Sequence, residues 1–315
     1  MNLSGFLVPT DISIIIPLFN KEDFIVQTLK SIINQDKKDW ECIIVDDGST
    51  DNSLQIVTDF CNTYAGNWKI LSVTNGGQTK ARNTGIREAT GRYLAFLDAD
   101  DLWVTNKLSK QFEYLEANPA VIAVMSGYAI FSSKLKRIRV VRNTNFDKML
   151  KNWVSMRGFG GGFESVGMVR RNLDRDQIFF DEDLSTSSGL DFTIRCSQLG
   201  IMVVLDDIGL LYRLSNGQWH RNIDELSDNM SLISEKYSGY FKMDLHARHL
   251  DYYFWVEVRK HGHTHLIRTI LGDLAHLRVL RLQMLYWLLF RNLKAMGVGR
   301  LSRRYVLKQL RILNS

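Results

Sequence analysis

Within the first 130 residues, short runs of β-branched and other apolar residues alternate with stretches of helical periodicity, and most runs end in acids or turn residues. ISIIIPLFN (12–20) reads as a buried strand, and Phe24, Leu29, Ile32 and Ile33 place a helix over Lys21 to Asn34. WECIIVDDGST (40–50) is a second strand, followed by a helix over Leu54–Tyr64 that Ser49 or Asp51 is placed to cap. WKILSV (68–73) stops at Asn75-Gly76-Gly77, and a helix is expected over Lys80 to Thr90 with Gly91 as its stop. YLAFLDADD (93–101) is a fourth strand. A helix (Thr105 to Asn118) and another strand (Val121 to Tyr128) follow. This alternation predicts an α/β fold, a mostly parallel sheet with helices on both faces.

Such a sheet gathers its polar residues at one edge. Pro17 and Asn20 follow the first strand, Asp46 and Asp47 end the second, Asn75 follows the third, and Asp98, Asp100 and Asp101 end the fourth. Ligands of open parallel sheets bind outside the strands' carboxyl ends. Five carboxylates there need a cation, hydrogen-bond donors or water to offset their repulsion. Asp98-Ala99-Asp100 is an Asp-x-Asp pair, suited to Mg²⁺ or Mn²⁺ with phosphate oxygens completing the shell. Asp46 and Asp47 are placed to accept hydrogen bonds from a base or ribose; the plainer reading of the region is a turn and helix cap. Arg82, near a helix start, is a candidate phosphate contact, or else a surface arginine. Neither GxGxxG after the first strand nor GxxxxGK[ST] anywhere is present, which disfavours dinucleotide dehydrogenases and P-loop NTPases.

IIIPLFNKEDFI, ECIIVDDGSTDNS, ARNTGIREATGRYLAFLDADDLW and Lys107-Leu108 together resemble the nucleotide-binding half of family 2 glycosyltransferases, which have the GT-A fold (Rossmann-like). The likeness runs from about residue 11 to 110. It implies that Pro17 and the stretch through Glu22, Phe19 and Asn20 among them, line the nucleoside pocket. Asp47 then faces a uracil, with Asp46 and Gly48 beside it. Asp98, Ala99 and Asp100 form the metal and diphosphate motif, and Arg82 lies in the family's ARN segment. In the second half, SSGLDFTIRCSQLG (187–200) resembles the segment in which an acid precedes a helix, which makes Asp191 the candidate general base of an inverting transfer; helix capping is the plainer reading. Many relatives have Glu-Asp there; this chain has Leu190-Asp191. Gly160, Gly161 and Gly162, which precede a strand read over 163–171, are expected on the acceptor side with Trp219. MVVLDD (202–207) and the run from Leu210 follow, where Tyr212-Arg213 resembles the strand that closes the site. His220 is a further candidate metal ligand. Gln218-Trp219 and Arg221 only partly match the processive pattern, so a non-processive enzyme of bacterial type is expected.

The charge of the chain is uneven. It carries +6 overall, yet residues 246–315 hold 13 Lys and Arg against 3 Asp and Glu, leaving the rest at −4. A global inference of nucleic-acid binding therefore fails. Leu266, Ile270, Leu274, Leu277 and Leu280 recur at helical intervals with Arg268, Arg278 and Arg281 between them. Two readings stand: helices lying on anionic lipid near a lipid-linked acceptor, or a basic bundle packed on the core. His261, His263 and His265 read as a solvated helix start rather than a zinc site. No run approaches the ~18–20 apolar residues of a membrane span. MNLSGFLVPTD lacks the charged start and long apolar stretch of a signal peptide. Cys42, Cys61 and Cys196 read as free thiols in a reducing compartment. A cytoplasmic protein is expected, peripheral on the inner membrane face if the tail binds lipid.

The expected organisation is a GT-A catalytic domain over 1–222 (donor half 11–110, acceptor half 111–222) and a basic helical region over 223–315. The expected activity is Mg²⁺- or Mn²⁺-dependent transfer of a hexose from a UDP-linked donor to a saccharide or lipid-linked saccharide, as in polysaccharide biosynthesis. The alternative is a non-catalytic nucleotide-sugar-binding or scaffold protein of the same fold, against which the retention of Asp47, Asp98, Asp100 and Asp191 speaks. A nucleotidyltransferase would release pyrophosphate instead of a nucleoside diphosphate.

Overall fold

The structure is a computed structural model that describes residues 10–131, 139–141, 146, 163–171, 178–184, 187–213, 229, 232–233 and 235–237. The candidates Gly160, Gly161, Gly162, Trp219 and His220, the three-histidine run and the basic region over 246–315 lie outside the described residues.

Strands β1 (Ile12–Leu18), β2 (Trp40–Asp46), β3 (Trp68–Ser72) and β4 (Tyr93–Phe96) are mutually parallel, in the order β3-β2-β1-β4. Every residue of β1 and β2 is buried, as in a sheet covered on both faces. The register decides where the site lies. Leu18 pairs with Asp46 and Asp46 with Ser72, so the three following loops leave the sheet at one level. Ile15 pairs with Phe96, and the Leu97 N–H donates to the Ile15 carbonyl, so Asp98 to Asp101 rise to the same edge.

Helix α1 covers Ile25–Ile33 and buries Ile25, Leu29 and Ile32. It starts later than its periodicity suggests, because the backbone N–H groups of Lys21 and Glu22 donate to Ser53 and Asp51 across the edge. α2 (Ser53–Thr63) has no side-chain cap; Asp51 accepts the Ser53 N–H from outside the helix and Ser49 bonds Asn20, so neither caps it as expected. α3 (Gln78–Glu88) begins two residues before Lys80. Gly91 is no helix stop: a Cβ there would stand 2.5 Å from the Ser13 backbone nitrogen, so glycine lets the chain run against β1.

The second half departs from the parallel expectation. After β5 (Leu102–Trp103), α4 (Lys107–Ala117) and β6 (Val121–Phe131), the hairpin partner β7 (Arg139–Val141) pairs antiparallel with β6. The stretch 163–171, read as one strand, is a short helix α5 (Phe163–Val166) followed by β8 (Gly167–Arg170). β8 wedges antiparallel between β4 and β6. After α6 (Ser188–Leu199) comes β9 (Ile201–Arg213), a single strand through Asp206 and Asp207, where two separate runs were read. It lies parallel to β6 with register shifts and pairs antiparallel with β5, a two-residue strand just beyond the run expected over 93–101. The fold is thus α/β with a mixed central sheet flanked by helices.

An aromatic cluster joins the halves. Phe180 stacks on Phe192 at 4.5 Å and meets Phe96 edge-on at 5.1 Å, while Phe163 lies 5.0 Å from Phe192. Asn83 clamps Phe180 by donating to its carbonyl and accepting from its N–H.

Candidate functional site

The loop after β1 is stitched to the loop after β2. Asn20 adopts φ 50°, a left-handed conformation that asparagine tolerates. There its side-chain oxygen accepts the Thr50 N–H at 2.8 Å, and Glu22 accepts two bonds from Asn52. Pro17 sits in β1 beyond the pairing with β4, where a missing N–H is harmless, and Phe19 is 40% exposed at the rim.

Asp47 is buried and holds the loop after β3. Its two carboxylate oxygens accept the Gly76 and Gly77 N–H groups at 2.8 and 2.9 Å, and its carbonyl accepts from Asn75 Nδ2. Gly77 at φ 91° requires glycine. Gly48 also turns left-handed, at φ 71°. Asp46 accepts the Ser49 N–H. Asp47 is therefore a staple between two loops, with lone pairs remaining on its carboxylate for a further donor, and Asp46 ties down its own loop.

Residue Gln78, next to Gly77, carries the network to β4. Its side-chain amide and the Arg82 guanidinium both donate to Asp98 Oδ1, at 2.9 and 2.6 Å. Arg82 is buried, lies over the Phe180 ring, and stands 3.5 Å from Glu164 of α5; its Nε is buried without a partner. Lys21 Nζ meets Asp100 Oδ2 at 2.5 Å. Arg213 fixes the acidic turn from β9: its side chain donates to the Asp100 carbonyl and its N–H to Asp101 Oδ1. Ala99, buried between the acids, lends its carbonyl to Thr28. Asp101 is fully enclosed, and its other oxygen has no partner. Burial, then the neighbouring Asp98 and Asp100 charges, push its pKa well above the ordinary carboxylate value.

Asp98 and Asp100 fit a hard divalent cation by donor chemistry: two carboxylates at one turn, both now matched by positive side chains. Among the described residues no group of three or more His, Cys, Asp or Glu side chains forms a metal cage, so donor oxygens would have to complete the shell.

Asp191 belongs to a second cluster. It lies in the first turn of α6 and is fully buried. Arg195 Nε bonds one oxygen at 2.8 Å; Tyr237 Oη and Lys236 Nζ bond the other at 2.6 and 2.7 Å. The acids' bonds thus join Asp47, Asp98 and Asp100 in one network and tie Asp191 into another.

Glu164 carries no role in the sequence reading, and Lys21, part of the stretch expected at the nucleoside pocket, instead meets the acid Asp100. Glu164 packs against Gly189, where any Cβ would fall 2.1 Å from its carboxylate. Burial raises its pKa, opposed by Arg82 and reinforced by Asp98. The available signal was an acid two residues after a glycine-rich run, and for Lys21 a cation two residues past an aromatic at a strand end.

With this geometry in view, likeness to known proteins decides the family. The model of the family described as "Glycosyl transferase family 2" matches residues 13–176, more than half the chain. The chain belongs to family 2 of the glycosyltransferases. A putative teichuronic acid biosynthesis glycosyltransferase of Bacillus subtilis (TuaG) is 31% identical over 170 residues, 53% of this chain and 63% of that protein. The minor teichoic acid biosynthesis protein GgaA of the same organism is 32% identical over 55% of this chain and 40% of its own length. The Escherichia coli UDP-Glc:alpha-D-GlcNAc-diphosphoundecaprenol beta-1,3-glucosyltransferase WfgD is 34% identical over 45% of this chain and 55% of its own length. The matches thus span between two fifths and two thirds of these relatives' lengths.

Solved structures show the same fold. Staphylococcus aureus TarS residues 1–349, in complex with UDP-GlcNAc, superposes with a TM-score of 0.60 at 23% identity over 79% of this chain and 74% of that one. The mannosyltransferase PcManGT from Pyrobaculum calidifontis, in complex with GDP-Man and Mn²⁺, gives 0.59 at 20% identity over 98% and 81%. The mixed sheet with flanking helices is therefore the GT-A fold of a family 2 glycosyltransferase. Among the described residues no helix is long and apolar enough to cross a membrane.

Proposed function

We propose that this family 2 glycosyltransferase transfers a hexosyl group from a UDP-linked donor to a hydroxyl of a saccharide or lipid-linked saccharide, with inversion. One observation carries the reading: the loops after β1, β2, β3 and the turn after β4 are bonded into a single edge, through Asn20–Thr50, Asp47–Gly77 and Gln78–Asp98. That edge offers an exposed aromatic for a base, a carboxylate with spare lone pairs for base N–H groups, and two carboxylates paired with cations for a diphosphate. Asp98 and Asp100 would hold Mg²⁺ or Mn²⁺; when bound, such an ion offsets the charge on the departing diphosphate. Arg82 and Lys21, the present partners of these acids, neutralise phosphate oxygens that approach the same edge. The UDP of the TarS complex and the lipid-diphosphate acceptor in the name of WfgD support the choice of donor and acceptor.

Asp191 serves as the base in this proposal. A carboxylate there takes the acceptor hydroxyl proton once an acceptor displaces Lys236 or Tyr237 from it, with the hydroxyl attacking the anomeric carbon opposite the departing nucleotide. A thermal-shift screen of UDP, GDP, CDP and ADP, each with Mn²⁺ or Mg²⁺, tests the donor, because binding to the folded state alone raises apparent stability. UDP should give the largest shift, and turnover should release UDP. Stabilisation by GDP alone, or release of pyrophosphate, overturns the assignment.

A further inference from the structure

Asp98 and Asp100 carry two negative charges, and Arg82 and Lys21 bring two positive ones onto them at 2.6 and 2.5 Å. The two cations differ in how firmly they are built in. Arg82 is 3% exposed, lies over Phe180 and is also drawn towards Glu164, so it is fixed. The Lys21 side chain is 21% exposed, and its backbone is anchored independently of it, through the N–H to Ser53 Oγ at 2.7 Å and the carbonyl to the Phe24 and Ile25 N–H groups. A lysine ammonium on a flexible stem makes a non-directional charge contact that can be exchanged. Asp100 itself is only 7% exposed, so what occupies its outer face must leave before another cation arrives.

We propose that Lys21 is a displaceable counter-ion of Asp100: it competes with the divalent ion for this carboxylate and moves onto the donor's phosphate when ion and nucleotide enter together. The inference rests on the nucleotide-sugar reading above and adds an order to the site. Against an edge already neutralised by Arg82 and Lys21, a divalent ion alone gains little. Joined by a nucleoside diphosphate, it frees Lys21 to meet a new negative partner, so each should strengthen the other's binding. That coupling is reciprocal by thermodynamic necessity. No bond is made or broken in the exchange; one ammonium moves between two oxygen partners.

The test is calorimetric titration of MnCl₂ into the full chain at low ionic strength, with and without UDP, for the wild type, Lys21→Met and Lys21→Arg. Removing a unit charge a few ångströms from a divalent ion changes affinity by about tenfold or more even at high dielectric. Lys21→Met should therefore bind Mn²⁺ alone about tenfold more tightly, bind UDP alone more weakly, and lose most of the coupling between the two. Lys21→Arg, which keeps the charge, should stay close to the wild type. The Lys21 side chain is partly exposed and its anchoring bond is made by the backbone, so Lys21→Met should fold; far-ultraviolet circular dichroism checks it. Unchanged or weaker Mn²⁺ binding in Lys21→Met overturns the inference. If UDP fails to bind any of the proteins, the donor assignment fails instead, while the Mn²⁺ titrations alone still decide whether Lys21 competes for Asp100.

Discussion

Replacing Asp191 by asparagine separates two roles that the buried carboxylate combines. Its oxygens accept one bond from Arg195 and two from Tyr237 and Lys236, and the side chain has no exposure. Asn keeps one acceptor oxygen and presents an amino group to donors on the other side, so at least one charged hydrogen bond is lost. A hydrogen bond to a charged group contributes about 1.5–3 kcal/mol, and breaking one side of a buried ion pair costs about 3–5 kcal/mol. Arg195 and Lys236 are 19% and 40% exposed and regain water when unpaired, which discounts the loss. The expected destabilisation is about 2–4 kcal/mol, or roughly 4–16 °C in Tm at the usual 2–4 °C per kcal/mol of larger domains. Differential scanning calorimetry reads this directly. If Asp191 is also the base, single-turnover transfer should fall by about 10²–10⁴-fold while donor affinity, measured by titration, barely moves. Tyr237→Phe should cost less stability and little rate, and the double variant should be less than additive because both remove the same bond. A Tm of Asp191→Asn within about 1 °C of the wild type would refute the energetic reasoning. An equal fall in rate and donor affinity would remove the base.

Two further outcomes follow from buried contacts elsewhere. Gly91→Ala should destabilise the protein by about 1–3 kcal/mol in urea unfolding, because the new Cβ meets backbone of β1, which cannot swing aside; a neutral result would mean the loop simply moves outward. Lys107 is fully buried over Trp103, donating to Gln111, and desolvation lowers its pKa well below the ordinary 10.5. Between the folded and unfolded values the unfolded chain binds the extra proton, so stability should rise with pH across that window. Lys107→Met should flatten the rise in urea titrations from pH 7 to 9.5, and identical slopes in the two proteins would contradict a neutral buried lysine.

What the sequence made legible was what period and punctuation carry. The apolar runs of β1 to β4 and the acids after β2 and β4 stand where the alternation put them, because a parallel core strand is apolar throughout and its carboxyl end must turn. Contacts between distant segments were not legible. Nothing in GMVR announces that β8 inserts antiparallel beside β4, and nothing local makes Leu102-Trp103 a strand; it becomes one because β9 passes beside it. Nor could spacing show that Lys21 reaches Asp100, 79 residues on, or that Glu164 fills the hollow left by Gly189. Gly91 reads as helix punctuation in one dimension and as clearance for β1 in three.

The five acids of this edge then divide by the nature of their partners. Asp46, Asp47 and Asp101 are bonded by backbone N–H groups, of Ser49, of Gly76 and Gly77, and of Arg213. Such donors are part of the fold and cannot leave without unmaking a loop. Asp98 and Asp100 are bonded by side chains: the buried Arg82 is held in place, whereas Gln78 and Lys21 can rotate away. Fixed donors spend a carboxylate on architecture and hold the loops in place before any substrate arrives, so no loop need be ordered when it does. Exchangeable donors keep a carboxylate desolvated yet available, at the cost of a competing cation. On this division, replacing Asp46 or Asp101 damages the scaffold, replacing Asp98 strands the buried Arg82 charge, and replacing Asp100 frees the partly exposed Lys21 with least harm to the scaffold. The Asp-x-Asp pair is therefore where incoming charge can be accommodated with least disturbance of the sheet edge. It lies beside a third acid, Asp101, whose burial disfavours its charged form and so spares the turn a further like charge.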